Sequence, residues 1–104
     1  MLKKRLEKHI NAFLTSYLDD NEEFKELGDS DKLYIYSVLR KLLTLIYQVI
    51  RHPNVYPILL VQNYKSKEII LKAFREVELI IPTVRNIKIE VVNWTNEINF
   101  WYWN

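Results

Sequence analysis

Gly28 is the only glycine in this chain of 104 residues, and the chain has no cysteine. An average composition would supply roughly seven glycines in this length. With one glycine, the chain cannot build the glycine-rich phosphate loops or dinucleotide-binding turns of many enzymes. Without cysteine, it has no disulfide framework, no thiolate metal site and no cysteine nucleophile. We therefore expect a protein that is not an enzyme and that uses neither a cofactor nor a metal.

The proportion of hydrophobic residues, 49%, is high enough to predict a folded chain with a hydrophobic core. A chain of this length normally forms one domain, so residues 1–104 are predicted to fold as a single unit. Isoleucine, lysine, asparagine and tyrosine are used heavily, a composition typical of AT-rich genomes such as those of many phages and archaeal viruses.

Charge is distributed unevenly along the chain. Residues 19–31 contain seven acidic side chains and one lysine, whereas residues 32–75 contain eight basic side chains and one glutamate. The overall net charge is only +2, which is too small to identify nucleic acid as a partner. The basic middle of the chain nevertheless keeps nucleic-acid binding open as an alternative function.

The N-terminal half has the apolar periodicity of helices. Apolar residues recur every three to four positions between 2 and 18, which predicts a first amphipathic helix. A short second helix follows, with Gly28 expected at the left-handed position after its end and Asp29, Ser30 or Asp31 capping the next helix. Residues 32–51 are apolar on nearly every side, which predicts a central helix that ends before Pro53.

The remainder of the chain predicts a β-α-β-β unit. Residues 56–62 form an apolar run typical of a strand buried on both faces, and Ser66 is a suitable N-cap for a helix over 66–79. Residues 87–91 alternate as in a strand, and 98–103 are expected to return as the second arm of a hairpin. A helical crossover makes the first two strands parallel. The predicted fold is α+β: two long helices and a short one, then a small three-stranded sheet covered by helices.

The sequence also predicts where the chain is found in the cell. The run of residues 42–50, which is bounded by Lys41 and Arg51, has nine residues, whereas a membrane span needs about 20. Charged and polar side chains interrupt the N-terminal segment before it reaches the length of a signal peptide. We therefore expect a cytoplasmic protein with no membrane partner.

Aromatic residues are most concentrated at the C-terminus. The predicted hairpin contains Trp94, Phe100, Trp101, Tyr102 and Trp103. On a strand, alternate residues point to opposite sides, so both sides of this strand are large and aromatic. One side can join the core, and the other needs the N-terminal helices, a second copy or a protein partner to cover it. These five residues are the predicted partner-binding site of a protein-interaction or regulatory module, such as a viral regulator or inhibitor of a host factor.

The alternative function is nucleic-acid binding through the basic middle of the chain. One form of it is a winged-helix-like module that uses residues 66–79 as the recognition helix. The turn at residues 62–67 follows a strand and begins a helix, where backbone N–H groups can hold an anion. A capped helix with solvated lysines explains the same turn. The candidate residues are Arg40, Lys41, Lys65, Ser66, Lys67, Lys72 and Arg75.

Overall fold

The computed structural model describes the backbone of residues 2–92 and the side chains of residues 5–92. Within this part, the α+β fold and all four predicted helices are confirmed. The helices are α1 (Leu2–Asp19), α2 (Glu22–Lys25), α3 (Asp29–Arg51) and α4 (Tyr64–Ile80), and a 3-10 helix spans Pro82–Asn86. The strands are β1 (Ile58–Val61) and β2 (Lys88–Val91). The predicted third strand, residues 98–103, lies outside the described residues, and the described sheet has two strands.

The two strands are parallel, as the crossover through α4 predicts. Ile58 pairs with Lys88 and Val61 pairs with Val91, so the strands are in register along their whole length. Both α3 and α4 contact β1, and α4 also contacts β2. The inward-pointing residues Leu59, Val61 and Ile89 are buried against these helices.

The helices pack around α3. Its buried residues recur at helical spacing from Ile35 to Val49, and Leu42, Ile46 and Val49 are completely excluded from solvent. The helix α1 runs antiparallel to α3. At one end the Tyr36 hydroxyl donates to Asp19 over 2.7 Å, and at the other the Tyr47 hydroxyl donates to the backbone oxygen of Glu7 over 3.2 Å.

Among the described helices, α3 alone is long and apolar enough to cross a membrane by length and composition. Its most apolar window of 18 residues has a mean hydropathy of 1.3, and 39% of that window is buried inside the protein. Burial against α1, α4 and β1 also explains an apolar helix of this length, because the core helix of a domain has the same composition.

Three predicted helix caps are wrong, at the end of α2 and at the starts of α3 and α4. Gly28 has a φ of −69° and a ψ of 166°, so it is extended and is the N-cap of α3 rather than a left-handed residue that ends α2. Asp29 and Asp31 consequently lie in the first turn of α3, where negative charge is favourable. The cap of α4 is Asn63, whose side chain accepts a hydrogen bond from the Ser66 N–H over 2.8 Å.

The prediction that β1 is buried on both faces is also wrong. Leu59 and Val61 are buried, but Ile58 and Leu60 are 57% and 55% exposed. The reason is that the helices bury the side of the sheet that carries Leu59, Val61 and Ile89, whereas Ile58 and Leu60 point to the other side. A short apolar run is consistent with a strand covered on one side or on both, because its composition does not report how many layers surround it.

Candidate interaction surfaces

The side of the sheet that the described helices leave uncovered is the first candidate site. We call it the outer sheet face and define it by Ile58 and Leu60 of β1, their in-register partners Lys88 and Glu90 of β2, and Tyr56 before β1. Tyr56 is 72% exposed and both β1 residues are more than half exposed. Large apolar side chains adjacent on one surface are a common feature of docking sites.

One charge on the outer sheet face is anchored by α4. The Lys67 ammonium lies 4.0 Å from a carboxylate oxygen of Glu90, and the Lys67 side chain is 27% exposed. Lys88 and Glu90 give the outer sheet face one positive and one negative charge. The face therefore combines an apolar half, on β1, with a neutral polar half, on β2.

Backbone hydrogen bonds show where another strand can be added to this sheet. The Lys88 N–H donates to Pro57 over 3.0 Å, and the Val92 N–H donates to Val61 over 2.8 Å. Because successive residues of a strand direct their backbone groups to opposite edges, Ile89 and Val91 direct theirs away from β1. No strand of the described residues lies on that side of β2. An edge of this kind is a template for further pairing.

The other edge of the sheet is partly closed. The Gln62 N–H, at the end of β1, donates to the Tyr34 hydroxyl of α3 over 2.7 Å. This contact satisfies a backbone donor that a neighbouring strand would otherwise pair, so it makes the β1 edge the poorer site for an added strand at this end.

The turn predicted to hold an anion is organised around its own cap. The Ser66 N–H donates to the Asn63 side chain, and Ser66 is only 6% exposed. Of the two flanking lysines, Lys67 contacts Glu90 and Lys65 is exposed. The turn is therefore the capped start of α4, and one of its two lysines already lies beside a carboxylate.

The other basic residues predicted to bind nucleic acid are divided between α4 and α3. The Lys72 ammonium is 2.8 Å from Glu23, and this contact lowers the pKa of Glu23 and raises the pKa of Lys72. Lys41 lies beside Leu45 and β1, Arg75 is exposed on α4, and Arg40 lines a groove between α1 and α3. By their spacing of seven and three, Lys65, Lys72 and Arg75 share one side of α4, and Lys65 and Lys72 both lower the pKa of Glu23.

The groove between α1 and α3 is the second candidate site, and we call it the α1–α3 groove. Its volume is about 650 Å³. Arg5 and Lys8 of α1 and Arg40 of α3 line it, together with Leu43 and Tyr47. The basic side of α1 is visible in the sequence. The sequence does not predict that Arg40 lies beside these α1 cations, because that proximity depends on how α1 and α3 pack against each other.

A smaller apolar groove lies between α1 and α4. Its volume is about 340 Å³, and Ile10, Phe13, Val77 and Ile80 are among the residues that line it. Ile80 is 68% exposed, and the neighbouring Leu79 is 78% exposed. This end of the molecule carries apolar surface without the adjacent charges of the α1–α3 groove.

The predicted aromatic binding residues Trp94, Phe100, Trp101, Tyr102 and Trp103 lie outside the described residues. Within residues 5–92, no three histidine, aspartate or glutamate side chains converge to hold a metal ion.

Comparisons with known proteins give no match: no family model, no curated protein and no solved structure matches the chain significantly.

Proposed function

We propose that this chain is a non-enzymatic, cytoplasmic interaction module that binds a second copy of itself through the outer sheet face. The observation that supports this most strongly is the exposure of Ile58 and Leu60, on the side of the sheet that the described helices do not cover. Leaving large aliphatic side chains in water forgoes about 1.5–3 kcal/mol each relative to burying them. Ile58 and Leu60 are 57% and 55% exposed, so a partner that covers this surface recovers roughly half of that free energy for each of them.

The proposal includes a third strand formed by residues 98–103. The outer edge of β2 is the favourable place for it, because backbone groups of Ile89 and Val91 point to that side. On such a strand Phe100 and Tyr102 face one way and Trp101 and Trp103 the other, since alternate residues point to opposite sides.

A second copy is the proposed partner because the outer sheet face is complementary to itself. A two-fold interface brings the same surface patch of both copies together, so the patch must tolerate its own charges. Here Lys88 and Glu90 lie two positions apart on β2 and offer opposite charges to their counterparts across a two-fold axis. Apolar side chains on β1 provide the part of the interface that excludes water.

Nucleic-acid binding through the predicted basic residues is the less favoured function. Lys67 and Lys72 contact carboxylates, and Arg40 and Lys41 of α3 line different grooves. The affinity of a nucleic-acid site rises with the number of phosphates that its cations neutralise. Such a site therefore needs several free cations along the path of one phosphate backbone.

Sedimentation velocity with a matched pair of variants tests self-association. The variant Leu60→Glu introduces a charge on the outer sheet face, and Leu79→Glu introduces the same charge at an apolar residue of α4 that is 78% exposed. We expect a dimer for the wild type and for Leu79→Glu, and a monomer for Leu60→Glu. Circular dichroism checks that both variants keep their helix content.

A double variant, Trp101→Ala with Trp103→Ala, tests the contribution of the C-terminal segment. It is expected to weaken the dimer without changing the helix content. A wild type that stays monomeric up to about 200 µM contradicts self-association, because the binding free energy is then weaker than about 5 kcal/mol. A dimer that Leu60→Glu leaves intact assigns the interface to another surface.

A further inference from the structure

The α1–α3 groove has a defined frame. Arg51 of α3 lies 3.7 Å from the Glu7 carboxylate of α1, and the Tyr47 hydroxyl donates to the Glu7 backbone oxygen. Burial, with a further contribution from the nearby Glu7 carboxylate, raises the pKa of Tyr47 and so favours the protonated hydroxyl that donates to the Glu7 backbone oxygen. These contacts fix the two helices on either side of the groove without occupying it.

Charge in the groove is predominantly positive. Arg5, Lys8 and Arg40 are exposed cations along its walls. Glu7 is the only carboxylate among its lining residues, and its side chain faces Arg51. The groove therefore offers three cations to a ligand, whereas its one acidic side chain already has a cationic neighbour.

The floor of the groove is apolar. Leu43 is 8% exposed, and Tyr47 is half-buried with its ring between the two helices. A ligand that fits this surface needs apolar side chains along its middle and negative charges along its margins. That pattern describes one face of an amphipathic helix flanked by acidic residues.

We propose that the α1–α3 groove docks a short, acidic, amphipathic helix of a partner protein. Residues 5–11 of α1 rise along the groove by about 9 Å, which matches roughly two turns of a docked helix. Leucine-like residues of the partner pack on Leu43 and Tyr47, and its carboxylates face Arg5, Lys8 and Arg40. A nucleic acid fits less well, because three cations neutralise few phosphates and the apolar floor offers little to a phosphate backbone.

A fluorescence anisotropy titration tests this proposal on the full-length chain. The probe is a fluorescein-labelled peptide of about 14 residues, with leucines at helical i, i+3, i+4 and i+7 spacing and glutamates elsewhere. A scrambled peptide of the same composition, and an oligothymidylate of the same net charge, serve as comparison probes. The groove variant is Arg40→Glu. The matched control is Arg75→Glu, which makes the same charge change at an exposed residue of α4.

We expect the helical peptide to bind the wild type, and Arg40→Glu to weaken binding about tenfold while Arg75→Glu leaves it within about twofold. The scrambled peptide should bind at least about fivefold more weakly, because its leucines no longer share one face. If both variants lose the same amount of peptide affinity, binding depends only on the general positive charge of the protein, and the proposal is overturned. Tighter binding of oligothymidylate, lost in Arg40→Glu, overturns it in favour of a nucleic-acid groove. These outcomes do not depend on whether the chain forms a dimer.

Discussion

Replacing Asn63 by alanine tests how the chain changes from strand to helix after β1. The Asn63 side chain accepts the Ser66 N–H over 2.8 Å, and Asn63 has the extended backbone of an N-cap, with φ −151° and ψ 164°. Alanine can adopt the same extended backbone conformation, but it lacks the side-chain oxygen that accepts the hydrogen bond. The Ser66 N–H lies on a residue that is only 6% exposed, so water replaces the lost acceptor poorly. We expect Asn63→Ala to lower the free energy of unfolding by about 1 kcal/mol, within a range of about 0.5–2 kcal/mol.

Urea unfolding followed by circular dichroism measures this change directly, and thermal unfolding should show a fall of about 4–8 °C per kcal/mol in the melting temperature. Two controls separate the cap from other effects. Asn63→Asp keeps an acceptor at a helix N-terminus and should retain wild-type stability within about 0.5 kcal/mol. Ser66→Ala leaves the cap in place and should change stability by less than about 0.5 kcal/mol. If Ser66→Ala costs more than Asn63→Ala, the assignment of the cap is wrong.

Two further contacts give testable outcomes. Tyr34→Phe removes the acceptor of the Gln62 N–H and should lower the free energy of unfolding by about 0.5 kcal/mol. Hydrogen exchange of the Gln62 amide should also become faster. Unchanged protection of this amide would show that the contact is not maintained in solution. The pKa of Glu23 is lowered from 4.5 by Lys72, so this pair stabilises the fold above that pH and the stabilisation is lost as pH falls through the lower, folded-state value. Glu23→Gln should therefore be less stable than the wild type at neutral pH and equal to it in strong acid, as compared by urea midpoints; a difference that persists in acid contradicts the ion-pair explanation.

The helical part of the fold could be predicted because its information is local. A period of 3.6 in apolar residues appears directly in the sequence, and the buried positions of α3 and α4 follow it closely. The parallel pairing of β1 and β2 could also be predicted, because a helical crossover leaves few other arrangements. The 3-10 helix Pro82–Asn86 was not predicted.

The features that were not predicted depend on neighbours distant in sequence. The exposure of Ile58 and Leu60 depends on the number of layers packed on the sheet, which an apolar run does not encode. Cap assignment failed at Asn63 and Ser66 because both residue types are good caps, and only the direction of the chain after β1 decides between them. The α1–α3 groove depends on the packing of two helices, so Arg40 was assigned to a different basic surface.

The backbone of the described residues has no positive φ angle, and the single glycine in it is extended. A side chain added at Gly28 would meet nothing within 4 Å. No described turn therefore requires the freedom of glycine, which has a consequence for the unfolded chain. Each glycine replaced by another compatible residue stabilises a fold by about 0.4–1 kcal/mol, because the unfolded chain has fewer conformations to lose. The unfolded state of a chain with one glycine therefore has fewer conformations than that of a chain with average glycine content. Burial of the core then has less conformational entropy to offset.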